Sequence, residues 1–173
     1  MKKNIAILLP YKEKYNPDKA GAASIWVKDY LSISKLKNQT LIFGNLDKKD
    51  KPLTKNFVNI DLTKAYIRKN IQYTKHLYDY HLKNKFKIIE IHNRPESLLY
   101  LIKKKISSKL IFMFHNNPQD MRSSKSINDR IFIAENTDQI YFVSRWVKDK
   151  FFEGLPFNHR NNCEILYPAI KPL

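Results

Sequence analysis

The side chains able to do chemistry in this chain gather at the ends of apolar runs. Leu110-Ile111-Phe112-Met113-Phe114 leads straight into His115-Asn116-Asn117-Pro118, and the run Phe86 to Ile91 ends in the polar cluster Glu90-Ile91-His92-Asn93-Arg94-Pro95. A further run, Asp138 to Val143, ends at Ser144-Arg145. A neutral imidazole orients a hydroxyl or accepts its proton near neutral pH. Carboxamides such as Asn93, Asn116 and Asn117 each offer a donor and an acceptor, which suits sugar hydroxyls. Arg94 and Arg122 are fitted to bidentate recognition of phosphate or carboxylate. Hydroxyls and anions are therefore the chemistry these residue types point to.

Each group also has a plainer reading. His92 can cap the following helix while Asn93 satisfies backbone groups. His115 can be a hydrogen-bonded core histidine, Ser144 an ordinary N-cap and Arg145 a surface charge. What favours function is position: the polar clusters all stand at the carboxyl ends of strands, where open α/β sheets bind ligands. No Ser sits in a G-x-S-x-G turn, and no carboxylate pair suggests a hydrolase.

The elements that position these residues alternate along the chain. Asn4 to Pro10 reads as a strand buried on both faces. A polar loop, Tyr11 to Lys19, and the small-residue turn Ala20-Gly21-Ala22-Ala23 lead to a helix carrying Val27 and Leu31, and Gln39 to Gly44 is the next strand. This βαβ unit sets a helix N-terminus at the end of the first strand. Gly21 there either serves tight packing or leaves room for a phosphate; the G-x-G-x-x-G dinucleotide fingerprint is missing. Phe57 to Ile60 reads as an edge strand. Asp61 or Thr63 is expected to cap a helix with Ile67, Ile71, Thr74, Tyr78 and His81-Leu82 on one stripe. Pro95 suits a first helical position, with Leu98-Leu99, Ile102 and Ile106 as the buried stripe. Ile127, Ile131 and Ala134 mark another helix, Val147 and Phe151 the next, stopped by Gly154, and Cys163 to Tyr167 a last strand. Alternation throughout predicts a Rossmann-like, doubly wound, mostly parallel sheet with helices on both faces.

Composition bounds the rest. The 173 residues, 43% hydrophobic, suit one globular domain. Cys163 is alone, which excludes an internal disulfide and a cysteine metal cluster; His76 and His81 do not share a helix face, so no metal or other cofactor is expected. No apolar run spans a membrane and none reads as a signal peptide, which predicts a cytoplasmic protein. The net charge of +16 suits phosphates, nucleic acid or an anionic membrane. Only 6 of the 32 basic residues are arginine, the lysines are spread over every helix, and Lys103-Lys104-Lys105 is the one cluster. No nucleic-acid motif is visible.

The runs IIEIHNRPESLLYLIKKK, KLIFMFHNNPQDMRS and DQIYFVSRWVKDKFFEGL, in that order, resemble the N-terminal half of family 4 glycosyltransferases, nearest to the lipopolysaccharide-core and spore-coat type. The resemblance extends to the closing EILYPAIKP. It implies the N-terminal Rossmann-like domain of a GT-B enzyme, a metal-independent, retaining hexosyltransferase whose other domain binds the nucleotide-sugar. His115 then matches the histidine near the reacting sugar, and Gly21 with Ala22 the loop approaching the donor diphosphate. His92, Asn93 and Arg94, with Asn116, Asn117 and Arg122, fall on the acceptor side, and Ser144 and Arg145 are rim contacts. The acceptor implied is a glycan or glycolipid, which suggests the inner face of a membrane.

Three departures stand out. The turn has one glycine where many relatives have paired glycines, and Asn117 replaces a common aspartate. The family's second domain, with its E-x7-E donor element, is absent from the 173 residues. One Rossmann-like acceptor-side domain, inactive or nearly so alone, is therefore expected. The competing expectation is a non-catalytic basic module for anionic lipid or nucleic acid.

Overall fold

Short runs of β-branched, leucine and phenylalanine residues form the strands β1 (Ile5–Leu8), β2 (Thr40–Gly44), β3 (Phe57–Asn59), β4 (Ile88–His92), β5 (Lys109–Phe114), β6 (Gln139–Phe142) and β7 (Cys163–Ile165). The structure, a computed structural model, describes residues 2–47, 49–62 and 68–168. The strands make one seven-stranded sheet in the order β3-β2-β1-β4-β5-β6-β7, with every pair parallel. Parallel neighbours need crossovers, supplied by the helices α1 (Ala22–Ile33), α2 (Lys69–Asn84), α3 (Pro95–Lys103), α4 (Ile127–Asn136) and α5 (Arg145–Phe152). The doubly wound, Rossmann-like fold expected from the alternation is the one observed.

The chain winds outward from β1 to β3, returns past β1 to β4, and then runs the other way to β7. Because crossovers are right-handed, this reversal sends α1 to one face and the later helices to the other. The strand pleat matches this division. Ala6, Leu8, Phe43, Ile89, Ile91, Phe112 and Phe114 pack with α2 to α5, while Ile7, Leu9, Ile42 and Met113 pack with Trp26, Val27 and Leu31 of α1. The larger core is aromatic where β5, β6 and α5 meet. The Phe114 ring lies 5.6 Å from Phe142 and 5.4 Å from Phe151, and full burial of each such ring contributes about 2 kcal/mol.

Local signals held in several places. Pro95 opens α3. The Ser144 hydroxyl caps α5 by accepting from the Val147 amide at 3.2 Å, and Gly154, at φ 78°, ends the segment in the left-handed region that a side chain disfavours. β3 lies at a sheet edge, as expected. Three stripes differ from expectation. In α2 the buried residues are Tyr73, Thr74, Leu77 and His81, while Leu82 is exposed; Ile67 and Thr63 lie outside the described residues. The rotation follows from two polar contacts: Tyr73 Oη donates to the Phe43 carbonyl at 3.4 Å, and the Thr74 and Ser97 hydroxyls pair at 2.7 Å. Arg68, not Asp61, stands at the N-cap. In α3 the helix ends at Lys103, so Ile106 lies beyond it, and Leu98 and Leu101 are the buried pair.

In α4 the buried set is Arg130, Ile133 and Ala134, with Ile127 exposed. Arg130 goes inside because carbonyls await it there. Its Nε donates to Phe151 O at 2.8 Å, Nη2 to Glu153 O at 2.7 Å and Nη1 to Lys125 O at 2.8 Å. It thereby fills orphan acceptors at the end of α5 and ties α4 to it. Arg130→Met keeps much of the stem but strands these carbonyls. The expected cost is about 3 kcal/mol, or a fall in Tm of roughly 10 °C by calorimetry; a fall under about 2 °C contradicts the clamp.

Candidate functional site

The strand order reverses between β1 and β4, so the loops after these strands part and leave a crevice at their carboxyl ends. Glu90 and His92 are two apart on β4 and therefore share a strand face, opposite Ile89 and Ile91. His92 lies opposite Met113 in register, and His115 is the next residue on that face of β5. The three side chains are linked. Glu90 Oε1 is 2.6 Å from His92 Nε2, and His92 Nδ1 is 2.8 Å from His115 Nε2. The Trp26 ring from α1 lies over both imidazoles, 5.6 Å from His92 and 5.9 Å from His115, and Tyr30 stacks on Trp26 at 5.1 Å.

When both rings are neutral, this chain of bonds fixes their protons. A carboxylate only accepts, so His92 Nε2 carries the hydrogen toward Glu90. His92 Nδ1 is then an acceptor, and His115 Nε2–H donates to it. The lone pair of His115 is left on Nδ1, which has no protein partner among the described residues. Burial, and then the neighbouring His92, lower the His115 pKa to about 3, so the ring is neutral at physiological pH. The His115 backbone is held too. Asn93 takes the left-handed conformation at φ 51°, which asparagine tolerates, and its Oδ1 accepts from the His115 amide at 2.8 Å.

His92 is fully buried, with both nitrogens engaged. The expectation that it stands on the acceptor-side rim is not met, because the pleat turns it inward under Trp26. The rest of that set does come together: Asn93, Arg94, Asn116, Asn117 and Arg122 all line one cavity of about 350 Å³ on the far side of the sheet edge. Arg94 Nη1 donates to Asn93 O at 2.8 Å and its guanidinium faces the Tyr11 ring at 5.8 Å. The amide of Asn117 is already in use, with Oδ1 accepting from Gln119 N at 3.1 Å and Nδ2 donating to Asp120 at 3.0 Å, which caps a 3-10 turn at Pro118–Asp120. Exposed Arg122 pairs with Glu96 at 3.3 Å. Ser144 is the α5 cap described above, and Arg145 is exposed beyond β6.

At the N-terminus of α1 the expected room for a diphosphate beside Gly21 and Ala22 is taken by the protein's own anion. Glu13 Oε2 accepts from the Ser24 amide at 3.2 Å, and a Cβ on Gly21 would come within 2.5 Å of that oxygen. A diphosphate can reach this turn only when the Glu13 side chain leaves it. Among the described residues no three His, Cys, Asp or Glu side chains are grouped to hold a metal ion, and no helix is long and apolar enough to cross a membrane.

Trp26 and Glu13 are residues of this region that sequence reasoning did not single out, and Glu90 was read only as the start of a strand-end polar cluster, with no role of its own. The spacing of Glu90 and His92 was the available signal, since two residues apart on a strand means one face. Nothing in the sequence indicated that Trp26 or Glu13 would arrive there.

No protein-family model matches the chain, and no curated protein matches it in sequence. Among solved structures it resembles sucrose-phosphate synthase from Thermosynechococcus elongatus, with a TM-score of 0.64 and 12% identity over 94% of this chain and 47% of that one. Anabaena HepE in complex with UDP-glucose gives a TM-score of 0.63 at 10% identity, over 96% of this chain and 44% of that one. UDP-N-acetylglucosamine 2-epimerase from Rickettsia bellii gives 0.56 at 14% identity, over 95% and 44%. The likeness is one of fold, that of a GT-B Rossmann-like domain, and the chain spans about half the length of these three proteins.

The lowered His115 pKa has a consequence for stability. The unfolded chain takes up a proton as pH falls through the ordinary value of 6.5, while the folded ring resists it until about 3. Stability from this group is thus complete above 6.5 and lost as pH falls across that window. Buried His81, also lowered by burial, acts in the same direction. Urea midpoints measured from neutral to acid pH should fall, and His115→Asn should flatten part of that slope. An unchanged slope in the variant would contradict a buried neutral ring.

Proposed function

We propose that this chain is the acceptor-binding domain of a retaining, family 4 glycosyltransferase of the lipopolysaccharide-core or spore-coat type. In the complete enzyme a sugar would pass from a nucleotide-sugar to a hydroxyl of a lipid- or polysaccharide-linked acceptor. The observation that supports this most is His115: a neutral imidazole just past the carboxyl end of β5, oriented through His92 and Glu90, with Nδ1 left without a protein partner among the described residues. The resemblance assigns that position to the histidine near the reacting sugar. Work at the inner face of a membrane, with Lys103-Lys104-Lys105 toward anionic lipid, belongs to the same reading.

In this reading each group has a defined task. His115 Nδ1 accepts a hydrogen bond from a sugar hydroxyl and so orients the reacting ring. His92 and Glu90 touch no substrate; they hold the tautomer that leaves Nδ1 free. Trp26 covers the dyad and keeps water from it. Asn93, Asn116 and Arg94 line the acceptor groove. The N-terminus of α1 stabilises charge on the leaving diphosphate once Glu13 has moved aside. The base and sugar of the donor are read by a second domain, so the chain alone is close to inactive.

Two experiments test this. His115→Ala in the complete enzyme should lower turnover by about 100-fold in the folded fraction, as for an orienting or acid–base group. Glu90→Gln should lower kcat by about tenfold with KM little changed, because His92 is then free to turn its protons around. Normal specific activity in folded His115→Ala removes the assignment. Separately, calorimetry on residues 1–173 should show no tight complex with UDP- or GDP-sugars. A micromolar or tighter complex contradicts the division of labour between two domains.

A further inference from the structure

The groove holding Arg94 and Asn116 continues past Tyr11, Asn70, Glu96 and Arg122 into a cavity of about 630 Å³ between α2 and α3. Its walls carry Arg68, Lys69, Lys103 and Arg122 against one carboxylate, Glu96. That carboxylate is already shared, accepting from Asn70 Nδ2 and pairing with Arg122. Arg68, Lys69 and Lys103 have no carboxylate partner among the described residues. Cations gathered round one concave surface repel each other and concentrate anions there. Where the two cavities join, Asn70 Oδ1 and Arg94 Nε are buried without a protein partner among the described residues. Buried polar groups of that kind are costly and rare unless something else satisfies them.

We propose that the α2–α3 end of this groove is a phosphate subsite, in which Arg68, Lys69, Lys103 and Arg122 hold a phosphoryl or diphosphoryl group of the acceptor at the end remote from His115. A lone carboxylate would be matched by one arginine fork, whereas this many unneutralised cations fit a group of charge −2 or more. The carboxamide of Asn116 and the Arg94 side chain line the adjoining stretch of the groove and suit sugar hydroxyls next to the phosphate. Tyr11, Leu99 and Tyr100 supply apolar sides for the rings. Remote binding of this kind positions an acceptor hydroxyl. The subsite rests on the proposed function only for the word acceptor; its phosphate chemistry rests on the groove.

Inorganic pyrophosphate titrated into the isotope-labelled chain at physiological salt is the test. Saturable amide shifts centred on Lys69, Tyr100 and Lys103, weak for acetate, are expected. Lys103→Gln and Arg122→Gln should each raise Kd by about tenfold, the loss typical of one charge-assisted hydrogen bond. Lys37→Gln and Lys55→Gln, in a separate pocket beside α1, should leave it unchanged. Unsaturable shifts over many lysines, shifts centred on Ala22 to Ser24, or equal Kd in all variants would overturn the subsite. A second arm uses phosphatidylcholine vesicles with and without phosphatidylglycerol. Should Lys103→Gln and Arg122→Gln weaken pelleting on the anionic vesicles while pyrophosphate neither binds nor competes, these cations face a bilayer and the subsite is wrong. Neither arm uses donor or turnover, so active His115→Ala would sink the glycosyl-transfer reading and leave the pyrophosphate result standing.

Discussion

The handedness of the βαβ crossover is the constraint from which the rest of this domain follows. A chain that leaves β1 in one direction and later resumes on its other side must place α1 on one face and α2 to α5 on the opposite face. The loops after β1 and β4 then diverge, and a crevice opens at the carboxyl edge with no further instruction. Strand pleating divides that edge into two sides. Glu90, His92 and His115 belong to the α1 side, and the Arg94–Arg122 groove to the side of α2 and α3.

Polar groups inside the sheet are tolerated because they are bonded in sequence. His92 is fully buried, yet each of its nitrogens has a partner within 2.8 Å. An isolated imidazole or carboxylate at that depth would be costly. The arrangement also carries information outward, since the proton that Glu90 holds on His92 decides whether His115 Nδ1 carries a lone pair or a hydrogen. Desolvation then keeps His115 neutral, so it presents a lone pair rather than a charge.

The α1 N-terminus makes a related point about anions. Its first-turn amides have no acidic residue of their own helix to meet, and Glu13 from the preceding loop supplies the negative charge. Gly21, lacking a side chain, leaves the space that this carboxylate fills. Among the described residues, the cations that line the cavity between α2 and α3 share a single carboxylate, Glu96, which pairs with Arg122. One anion-attracting place in the domain is therefore occupied by the protein itself, while another keeps more cations than carboxylates.

Much of the architecture was legible in the residues themselves. The alternation of short apolar runs with helical spacing predicted every described strand, and Pro95 and Gly154 marked a helix start and a stop. These are local signals, set by neighbours in sequence. The stripes of α2 and α4 were not legible, because their rotation is set by partners on other elements: the Phe43 carbonyl for Tyr73 and the end of α5 for Arg130. Nor was the inward turn of His92, which depends on sheet pleat and on Trp26 arriving from α1. The sequence alone determined which residue types reach the carboxyl edge, since that follows from strand and turn chemistry. Only tertiary structure decided which of them stay exposed and which are buried and hydrogen-bonded beneath them, because that depends on pairing between segments far apart in the chain.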